Sequence, residues 1–419
     1  MATSLVMLLA GGRGSRLNIL AAHRAKPAVP FAGMYRIIDF ALSNCMHAKL
    51  HQGGVLTQYH PSSLMNHVED GQHWNFSGRD GFLKILPPYQ GVDDLDWYRG
   101  TADAVYQNLD FIWRYKADRI VVLSGDHIYR MDYRAFLNHH EKTNADVTIA
   151  TMPVPIEEAS RFGIIVTDGK GQITGFQEKP ENPSSNLASM GIYIFQTEAL
   201  FEELEALPRS ETDFGANVIP RMVEKGRNMQ AYEFDGYWRD VGTIDSYFET
   251  NLDVLRPDSG IRLADWKVRT NLSYESVQAM PPARIDPGAV VVDSLISPGC
   301  HIKGRVERSI LSPGVLVEAG AQVVDSIVMH RSKIRSGATV IRSIIDKHVD
   351  IGSDAVVGSR DNGHPNKAYP EHLMSGLVVV GKKSIVPASV TLGPNVIVAP
   401  EATEEMYSGN IIDAGEMIE

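Results

Sequence analysis

The chain has 419 residues, of which 43% are hydrophobic and 22% are charged, and its formal net charge is −11. This length predicts two or three domains, the composition excludes a disordered or fibrous protein, and the acidic balance argues against binding to nucleic-acid backbones. Cys45 and Cys300 are the only cysteines, which excludes a disulfide framework and a multi-cysteine zinc site and predicts a reducing, cytoplasmic location.

The first apolar run, at residues 5–10, leads directly into glycines. It is too short for a signal peptide or a membrane span, and no other stretch of the sequence approaches membrane length. We therefore interpret it as a buried first strand and expect no contact with a membrane.

Short apolar runs alternate with longer helical patterns from residue 5 to about residue 251. The predicted strands are residues 5–10, 120–124, 147–152, 164–166 and 190–195, and the predicted helices are residues 38–48, 101–115, 133–143 and 244–255. This alternation predicts an α/β domain with a mostly parallel sheet. In such sheets ligands bind beyond the carboxyl ends of the strands, so we expect the site there.

After a transition at residues 256–282, the residue pattern changes from alternating strands and helices to short repeats. Glycine turns separate short β-branched stretches that echo one another at residues 285–290, 297–302, 312–317 and 334–340, and Ser294, Ser309, Ser326 and Ser343 recur at nearly constant spacing. Such repeats are typical of the hexapeptide coils of a parallel β-helix, in which stacked neighbours supply the core. An antiparallel β-sandwich is the alternative, because apolar positions that repeat across glycine turns do not require a solenoid.

A glycine-rich loop follows the first predicted strand. Its residues are Gly11, Gly12, Arg13, Gly14, Ser15 and Arg16. Glycines let the backbone N–H groups approach a phosphate closely, and the two arginines add positive charge. The loop lacks the Gly-Lys-Ser/Thr of a Walker A loop and the third glycine of a dinucleotide fingerprint. With Lys26 close behind it, the loop is interpreted as a phosphate-binding loop of another kind.

Several segments resemble one known family, and they occur in its order. They are Leu-Ala-Gly-Gly-Arg-Gly-Ser-Arg-Leu at residues 9–17, Arg-Ala-Lys-Pro-Ala at residues 24–28, and residues 36–44, 97–104, 124–129, 189–193 and 237–243. They resemble the sugar-1-phosphate nucleotidyltransferases and, among these, the glucose-1-phosphate adenylyltransferase family. The resemblance implies a Rossmann-like, mostly parallel nucleotidyltransferase sheet (residues 1–255), a linker (256–284) and a C-terminal left-handed parallel β-helix (285–419). It also implies a cytoplasmic homotetramer that serves glycogen (α-glucan) synthesis.

The implied reaction is attack by a phosphate oxygen of glucose 1-phosphate on the α-phosphorus of ATP, with pyrophosphate leaving. A phosphate monoester is mostly ionised at neutral pH, since its second pKa is about 6. The reaction therefore needs neither a nucleophilic side chain nor a general base. Positioning and charge neutralisation are sufficient, which predicts a carboxylate-held Mg²⁺ and several cationic side chains.

The expected site residues follow from the motifs and the resemblance. Asp126, just after the strand at residues 120–124, and Asp240 are the expected Mg²⁺ ligands. Arg16 and Lys26 are assigned to the phosphates of ATP, and Lys179 to the phosphate of the sugar. The remaining expected substrate contacts are Gly11, Gly12, Gly14, Gln58, Tyr98, Gly100, Thr101, Gly163, Glu178 and Ser189. His127 is expected either to support the metal ligand from behind or only to pack there, rather than to bind the metal.

Other functions stay open at this point. Nothing physical in Gln58 selects adenine, so the nearest rival is a uridylyl-, thymidylyl- or guanylyltransferase that acts on another hexose 1-phosphate. A non-catalytic regulatory subunit is disfavoured, because the expected charged site residues are all present: Arg16, Lys26, Asp126, Lys179 and Asp240. A β-helix that also performs acyl transfer would need a catalytic histidine between coils. His301, His330 and His348 are the candidates, although the coils look too few.

The resemblance also implies allosteric control by a small phosphorylated metabolite, with His23 and Arg24 as the candidate contacts. His23 stands where enterobacterial-type members of the family carry Lys, and residues 393–419 contain no Lys or Arg. Activation by a sugar bisphosphate is therefore in doubt. If His23 lines an effector site, activation is expected to depend on pH near neutrality.

Overall fold

The computed structural model describes residues 3–79, 81–88, 97–208 and 210–419. Their contacts divide the chain into two compact units. The first comprises Met1–Gly12, Phe40–Pro61 and Val68–Trp238, and the second comprises Arg13–Asp39, Ser62–His67 and Arg239–Glu419. The domain boundaries expected at residues 255 and 284 stay a prediction.

The regular elements before the repeats alternate between strands and helices. The strands are β1 (Ser4–Leu9), β2 (Pro30–Phe31), β3 (Tyr35–Arg36), β4 (Gln52–Leu56), β5 (Phe82–Leu86), β6 (Arg119–Ser124), β7 (His127–Tyr129), β8 (Val147–Pro153), β9 (Gly163–Thr167), β10 (Ile173–Glu178), β11 (Leu187–Gln196), β12 (Met229–Glu233) and β13 (Trp238–Asp240). The helices are α1 (Ile38–Ala48), α2 (Ser62–Val68), α3 (Thr101–Tyr106), α4 (Leu109–Tyr115), α5 (Tyr133–Thr143), α6 (Thr197–Glu205), α7 (Ile219–Glu224), α8 (Ile244–Asp253) and α9 (Leu263–Trp266). Short 3-10 turns occur at Ser15–Ala21, Lys26–Ala28, Gln72–Trp74, Ile156–Arg161, Tyr274–Ala279 and Glu404–Met406, and a π-helical turn at Phe214–Val218.

A mixed sheet forms the core of the first unit, in the order β10-β9-β11-β6-β1-β4-β5, and β8 pairs with β11 and β12. β6, β1, β4 and β5 run parallel, whereas β11 runs antiparallel to β6, β8 and β9. Leu5, Val6, Met7 and Leu8 are all buried, as expected for a central strand covered on both faces. The α/β class and the predicted strands are confirmed. The antiparallel strand β11 is a feature that the sequence pattern did not specify.

One predicted helix, residues 101–115, is divided into α3 and α4. Asn108 lies at the division, and its side-chain amide donates to the carbonyl of Ala104 at 2.8 Å. An Asn side chain that bonds to the backbone offers the chain an alternative to the helical ladder. The helix therefore ends near Gln107 and a new helix begins at Leu109.

The second unit contains a stack of short strands. They are β14 (Arg284–Ile285), β15 (Val290–Val292), β16 (Leu295–Ile296), β17 (His301–Ile302), β18 (Arg305–Glu307), β19 (Ile310–Leu311), β20 (Leu316–Val317), β21 (Gln322–Val324), β22 (Ile327–Val328), β23 (Lys333–Ile334), β24 (Thr339–Ile341), β25 (Ser343–Ile345), β26 (Asp350–Ile351), β27 (Val356–Val357), β28 (Val378–Val380), β29 (Ile385–Val386), β30 (Thr391–Leu392), β31 (Ile397–Val398), β32 (Ile411–Ile412) and β33 (Met417–Ile418). Residues 284–418, all of which the structure describes, form three parallel sheets that begin at β14, β15 and β16. Since β14 pairs with β17 and β17 with β20, and so on, successive coils stack on one another; the first sheet ends at β29, whereas the other two continue to β32 and β33. This arrangement is a parallel β-helix, and the antiparallel sandwich is wrong.

Inside the β-helix, apolar side chains stack from coil to coil. Each sheet contributes one buried column, and the three columns are Ile302, Val317, Ile334, Ile351 and Val386; Val306, Val323, Val340, Val357 and Leu392; and Leu311, Val328, Ile345, Val380 and Val398. No coil could bury its own apolar face alone, so the neighbouring coils supply the core.

The repeated serines form a hydrogen-bonded ladder along one corner of this β-helix. The Ser294 hydroxyl accepts from the backbone N–H of Ser309, Ser309 accepts from Ser326, and Ser326 accepts from Ser343, at 3.1, 3.0 and 3.1 Å. Each hydroxyl also donates to the carbonyl two residues before it. A serine at this position therefore satisfies backbone groups in two successive coils, which explains the constant spacing.

The N-terminal segment of the second unit is attached to α8. The Tyr247 hydroxyl donates to the carbonyl of Pro30 at 2.5 Å, and the backbone N–H of Ala32 donates to the Asn251 side chain at 2.9 Å. In residues 3–79, 81–88, 97–208 and 210–419, no helix is long and apolar enough to cross a membrane.

Candidate active site

In the first unit, the glycine-rich loop begins at the carboxyl end of β1, and Asp126 follows the carboxyl end of β6. These two strands are parallel neighbours in the sheet. The backbone N–H of Gly125 donates to the carbonyl of Leu9 at 2.9 Å, and Ala10 donates to the carbonyl of Leu56 at 2.9 Å. A Cβ on Gly125 would lie 3.1 Å from the Leu9 carbonyl oxygen. The start of the glycine-rich loop is thus packed against the segment that carries Asp126, at the sheet edge predicted from the sequence.

Two glycines of the loop have close neighbours, one in each unit. In the first unit, a Cβ on Gly11 would lie 3.3 Å from the Cβ of Gln58, which is buried. In the second unit, Gly14 adopts a left-handed backbone with φ of 66°, and a Cβ there would lie 3.2 Å from the Cβ of Lys26. Gly12 is exposed, and a Cβ there would meet no atom of the described residues within 4 Å. The loop therefore leaves backbone accessible at Gly12, as a phosphate-binding loop requires.

Asp126 is partly exposed, with 28% of its side chain accessible. The Ser124 hydroxyl donates to its Oδ1. The Nε2 of His127 lies 3.5 Å from the same oxygen. The hydrogen bond from Ser124 restricts the rotation of the carboxyl group, and His127 is a second polar neighbour of the same oxygen.

In the second unit, Lys26 and Asp240 form an ion pair, with Nζ 2.8 Å from Oδ1. Lys26 is buried, and 20% of the Asp240 side chain is exposed. A Cβ on Gly242 would lie 3.0 Å from a terminal nitrogen of Arg16 and 3.0 Å from Oδ1 of Asp240. The absence of a side chain at Gly242 therefore makes room for Arg16 beside Asp240, so three of the predicted residues of this unit are brought together.

The segment that carries Asp240 is fixed by the start of α8. The Thr243 hydroxyl caps the helix by accepting from the backbone N–H of Ser246 at 3.1 Å. The Ser246 hydroxyl in turn donates to the backbone carbonyl of Asp240. An N-cap hydrogen bond of this kind stabilises a helix by about 1 kcal/mol, and here it also holds the backbone next to Asp240.

The expected sugar contacts cluster at the end of β10 in the first unit. Gly163 pairs with Glu178 across β9 and β10, and a Cβ on Gly163 would lie 3.1 Å from Oε2 of Glu178. Lys179 Nζ lies 3.1 Å from Oε1 of Glu178. Lys179 has a left-handed backbone, with φ of 42°, directly before Pro180. Strained non-glycine residues of this kind concentrate at functional sites.

Ser189 lies on β11, where the pairing with β8 shifts register between Ser189 and Tyr193. Gly191, inside this bulge, has a φ of 66° and donates its backbone N–H to the Ser189 hydroxyl at 3.3 Å. Bulges redirect side chains and are common beside active sites. Ser189 is therefore the last residue of β11 paired with β8 before the irregularity.

The structure adds two residues to this cluster that sequence reasoning missed, Asp213 and Gly215. The Thr101 hydroxyl donates to Oδ2 of Asp213 at 2.9 Å, and Asp213 caps the π-helical turn by accepting from Ala216 at 3.0 Å. A Cβ on Gly215 would lie 2.5 Å from Oε2 of Glu178. The segment at residues 213–215 thus joins the expected base-pocket residue Thr101 to the expected sugar contact Glu178. The sequence did contain a signal for this turn, because an aspartate three residues before the backbone N–H from which it accepts is typical of an N-cap.

Tyr98 and Gly100 have structural contacts in the first unit. The Tyr98 hydroxyl donates to the carbonyl of Leu86 and accepts from the Asn108 amide, both at 3.0 Å. A Cβ on Gly100 would lie 2.3 Å from the carbonyl oxygen of Thr212, so only glycine fits there. These contacts fix the loop before α3.

The two candidate effector residues differ in exposure. Arg24 is buried and donates to both carboxylate oxygens of Asp346, at 2.7 and 2.5 Å. His23 is exposed. The Lys383 ammonium, which donates to Glu401, lowers the pKa of that carboxyl, and the nearby His23 contributes to the effect. Arg24 is therefore committed to the β-helix, whereas His23 lies at the surface.

A buried charge cluster near Arg24 was not predicted. Lys347 Nζ lies 2.6 Å from Oε1 of Glu275, and Arg36 and His330 lie 3.8 Å from the same carboxyl group. Burial and the repulsion from Arg36 lower the pKa of Lys347 to about 7. Burial alone would raise the pKa of Glu275, but Lys347, His330 and Arg36 lower it to about 2. The cluster ties the segments around Arg36 and Glu275 to the β-helix.

Comparison with known proteins shows which families two long segments of the chain match. Residues 5–256 match the nucleotidyl transferase family, and residues 281–380 match the GlmU-like C-terminal hexapeptide family. The second match and the three parallel sheets together confirm the expected left-handed β-helix.

Curated relatives resemble the chain along almost all of its length. Glucose-1-phosphate adenylyltransferase of Thermomicrobium roseum is 47% identical over 99% of this chain and 97% of its own. The enzyme of the same name from Acetivibrio thermocellus is 43% identical with the same coverage, and that of Desulforamulus reducens is 44% identical over 91% of this chain and 95% of its own. Such identity over both units shows that the chain belongs to the glucose-1-phosphate adenylyltransferase family.

Proposed function

We propose that the protein transfers AMP from ATP to glucose 1-phosphate and so forms ADP-glucose and pyrophosphate for glycogen-type α-glucan synthesis. The strongest support is that the glycine-rich loop and Asp126 follow the carboxyl ends of two neighbouring parallel strands, β1 and β6. Backbone N–H groups bind phosphate oxygens, and a carboxylate beside them suits a metal-bound triphosphate. This combination favours a nucleotide substrate over a sugar substrate alone.

In this proposal the protein acts by positioning and charge neutralisation. Arg16, Lys26 and the amides of the glycine-rich loop bind the phosphates of ATP and neutralise the charge that develops on the leaving pyrophosphate. Lys179 binds the phosphate of glucose 1-phosphate, and Glu178 accepts hydrogen bonds from the hexose hydroxyls. The sugar phosphate is itself the nucleophile, so no side chain needs to remove a proton.

The carboxylates fit a divalent metal, which nucleotidyltransferases of this kind use, and we propose Mg²⁺. Asp126 and Asp240 both offer partly exposed carboxylate oxygens, the ligands that hard cations prefer. Bound Mg²⁺ would supply charge stabilisation on the phosphate oxygens. Lys26, bonded to Asp240, and Ser124, bonded to Asp126, hold the two carboxylates in defined orientations.

Base choice and regulation are part of the same proposal. Gln58, Gly100 and Thr101 are proposed to form the base pocket, and the preference for adenine rests on the family. We also propose a homotetramer in the cytoplasm whose activity responds to a small phosphorylated effector at a site that includes His23. Sedimentation of the purified protein tests the tetramer, and an effector response that does not change with pH near neutrality would contradict the role of His23.

A nucleotide panel tests the function directly. The purified protein is incubated with Mg²⁺, glucose 1-phosphate, inorganic pyrophosphatase and each of ATP, UTP, dTTP, GTP and CTP, and phosphate release is followed. We expect a strong preference for ATP. A preference for UTP or dTTP would keep the chemistry and overturn the pathway. No turnover with any nucleotide, even with candidate phosphorylated activators present, would overturn the proposal in favour of a regulatory subunit.

A further inference from the structure

His127 lies between a carboxylate that we assign to the metal and a buried tryptophan, all within the first unit. Its Nε2 is 3.5 Å from Oδ1 of Asp126. Its Nδ1 accepts a hydrogen bond from Nε1 of Trp238 at 3.4 Å, and the two rings meet edge to face, with centroids 5.3 Å apart and planes at 81°. Only 12% of the His127 side chain is exposed. The imidazole therefore has a different polar neighbour at each ring nitrogen.

The tryptophan determines which nitrogen of the neutral ring carries the proton. An indole N–H is a donor only, so the nitrogen that it faces, Nδ1, must offer its lone pair. The proton of the neutral imidazole then lies on Nε2, which faces Asp126. The other tautomer would place two N–H groups against each other at Trp238 and a lone pair against a carboxylate oxygen, and both contacts are repulsive.

In this tautomer His127 is unsuited to bind a metal. A metal needs the lone pair of a ring nitrogen, but Nε2 carries a proton and Nδ1 is bonded to the indole. What Nε2 can do is donate toward Oδ1 of Asp126, the oxygen that also accepts from Ser124. At 3.5 Å this contact is weak as it stands, and hydrogen bonds in active sites often shorten when ligands bind.

Trp238 in turn contacts a residue that is hydrogen-bonded to Lys179, the residue assigned to the sugar phosphate. The Phe162 ring packs against the indole, with centroids 5.4 Å apart, and the Phe162 carbonyl accepts the backbone N–H of Lys179 at 3.1 Å. A continuous series of contacts thus runs from Lys179 through Phe162, Trp238 and His127 to Asp126. It connects the residue assigned to the sugar phosphate with the residue assigned to the metal.

We propose that His127, fixed in its Nε2–H tautomer by Trp238, is a positioning residue that orients the Asp126 carboxylate for the divalent metal. The proposal depends on the proposed function, because it takes Asp126 as a metal ligand. Partners that orient metal ligands change metal affinity or activity by about 10- to 100-fold when they are removed. His127 and Trp238 are expected to act in this way, through Asp126.

Three variants separate positioning from packing. His127→Leu removes both ring nitrogens, His127→Gln restores an N–H donor close to the position of Nε2, and Trp238→Phe keeps the aromatic contact with Phe162 but removes the indole N–H. We expect the Mg²⁺ concentration for half-maximal rate to rise about 10- to 100-fold in His127→Leu, to recover largely in His127→Gln, and to rise by less in Trp238→Phe. A role in packing alone would give Leu and Gln variants with the same metal requirement and would overturn the proposal.

Two further readouts do not depend on turnover. Electron paramagnetic resonance of Mn²⁺, titrated in the presence of α,β-methylene-ATP, should show the same order of affinities as the Mg²⁺ requirement. Loss of Mn²⁺ binding in both His127→Leu and His127→Gln would make His127 a direct ligand and overturn the proposal. ¹⁵N NMR of histidine-labelled protein, with the His127 signal assigned by its absence in His127→Gln, should show the Nε2–H tautomer in the wild type and a mixture in Trp238→Phe.

These readouts separate failure of this inference from failure of the proposed function. If the wild type turned over no nucleotide, the proposed function would fail, yet the tautomer would still be measurable by NMR. If the wild type were active and its His127 carried the proton on Nδ1, the inference would fail and the proposed function would stand.

Discussion

Two ion pairs, one in each unit, differ in how far their side chains are exposed to water. In the second unit, Arg24 donates two hydrogen bonds to Asp346, and 5% and 0% of these side chains are exposed. In the first unit, Lys179 and Glu178 lie 3.1 Å apart, but 65% and 30% of their side chains are exposed. The first pair is buried, and the second is partly exposed to solvent.

This difference indicates which charges can serve a ligand. Removing two ions from water costs several kcal/mol per ion, so a buried pair must stay together once it has formed. An exposed pair gains about 0–1 kcal/mol, and an incoming phosphate or hydroxyl can replace one partner at little cost. Buried pairs such as Arg24 and Asp346 therefore hold segments on the β-helix, whereas a partly exposed pair such as Lys179 and Glu178 can exchange one partner for a ligand.

The largest effect that we predict comes from breaking the buried pair. Arg24→Met removes the cation and leaves Asp346 as a buried carboxylate, which should lower the free energy of unfolding by about 3–5 kcal/mol. Urea and thermal denaturation of the purified variant measure this. The matched control is Arg134→Met, which breaks a pair with Asp132 whose side chains are 60% and 46% exposed and should barely change the melting temperature. Equal shifts in both variants would contradict the contrast between buried and exposed pairs.

The next largest effect should be on activity and not on stability. Asp126→Asn keeps the size of the side chain and an oxygen that can accept from Ser124 but removes the charge. We expect kcat to fall about 10²- to 10³-fold, the usual range for one preorganised electrostatic group, with an unchanged melting temperature. Asp235→Asn, at an exposed aspartate of the same unit, is the control and should stay active. A loss of stability parallel to the loss of activity would show that Asp126 is a structural residue.

Local pattern was enough to predict much of the fold. The predicted strands and the serine spacing depend on periodicities of a few residues, which the sequence displays directly, and both are present in the structure. The pairing of Arg24 with Asp346 could not be predicted, because these residues are separated by 322 positions. Gly215 beside Glu178 is a second example, since the contact depends on how the π-helical turn packs on β10. What could not be predicted from the sequence is therefore mainly the partners of charged groups.

The buried lysine should make stability depend on pH. The folded pKa of Lys347 is about 7, below its ordinary value of 10.5. Between these values the unfolded chain binds a proton at Lys347 that the folded chain lacks, so this group makes stability increase with pH, by at most about 1.4 kcal/mol per pH unit. Melting temperatures of the wild type and Lys347→Met across this window measure the difference in slope.

The control for this prediction is an exposed lysine. Lys383 pairs with Glu401 at the surface, with 56% of its side chain exposed, and Lys383→Met should keep the slope of the wild type. The remaining slope of Lys347→Met reports the other groups that titrate in the window, such as Cys300, whose pKa burial raises to about 11. Identical slopes in the wild type and Lys347→Met would show that Lys347 keeps its proton in the folded protein.

The smallest effect that we predict is also the most local. A Cβ on Gly215 would lie 2.5 Å from Oε2 of Glu178, so in Gly215→Ala the flexible carboxylate must move away. If Glu178 binds hexose hydroxyls, the KM for glucose 1-phosphate should rise about tenfold, which corresponds to about 1.4 kcal/mol, the size of one weakened hydrogen bond to a charged group. The KM for ATP and the melting temperature should stay unchanged. Gly169→Ala is the control, because in the described part of the chain no atom lies within 4 Å of a Cβ placed there.

A double variant decides whether the effect acts through the carboxylate. In a Glu178→Gln background the charged acceptor is already gone, so adding Gly215→Ala should raise the KM for glucose 1-phosphate little further. Fully additive effects would mean that the two positions are independent, and Gly215 would then act on the substrate directly or through the Asp213 cap. A combined effect no larger than the bigger single effect would place Glu178 between Gly215 and the sugar.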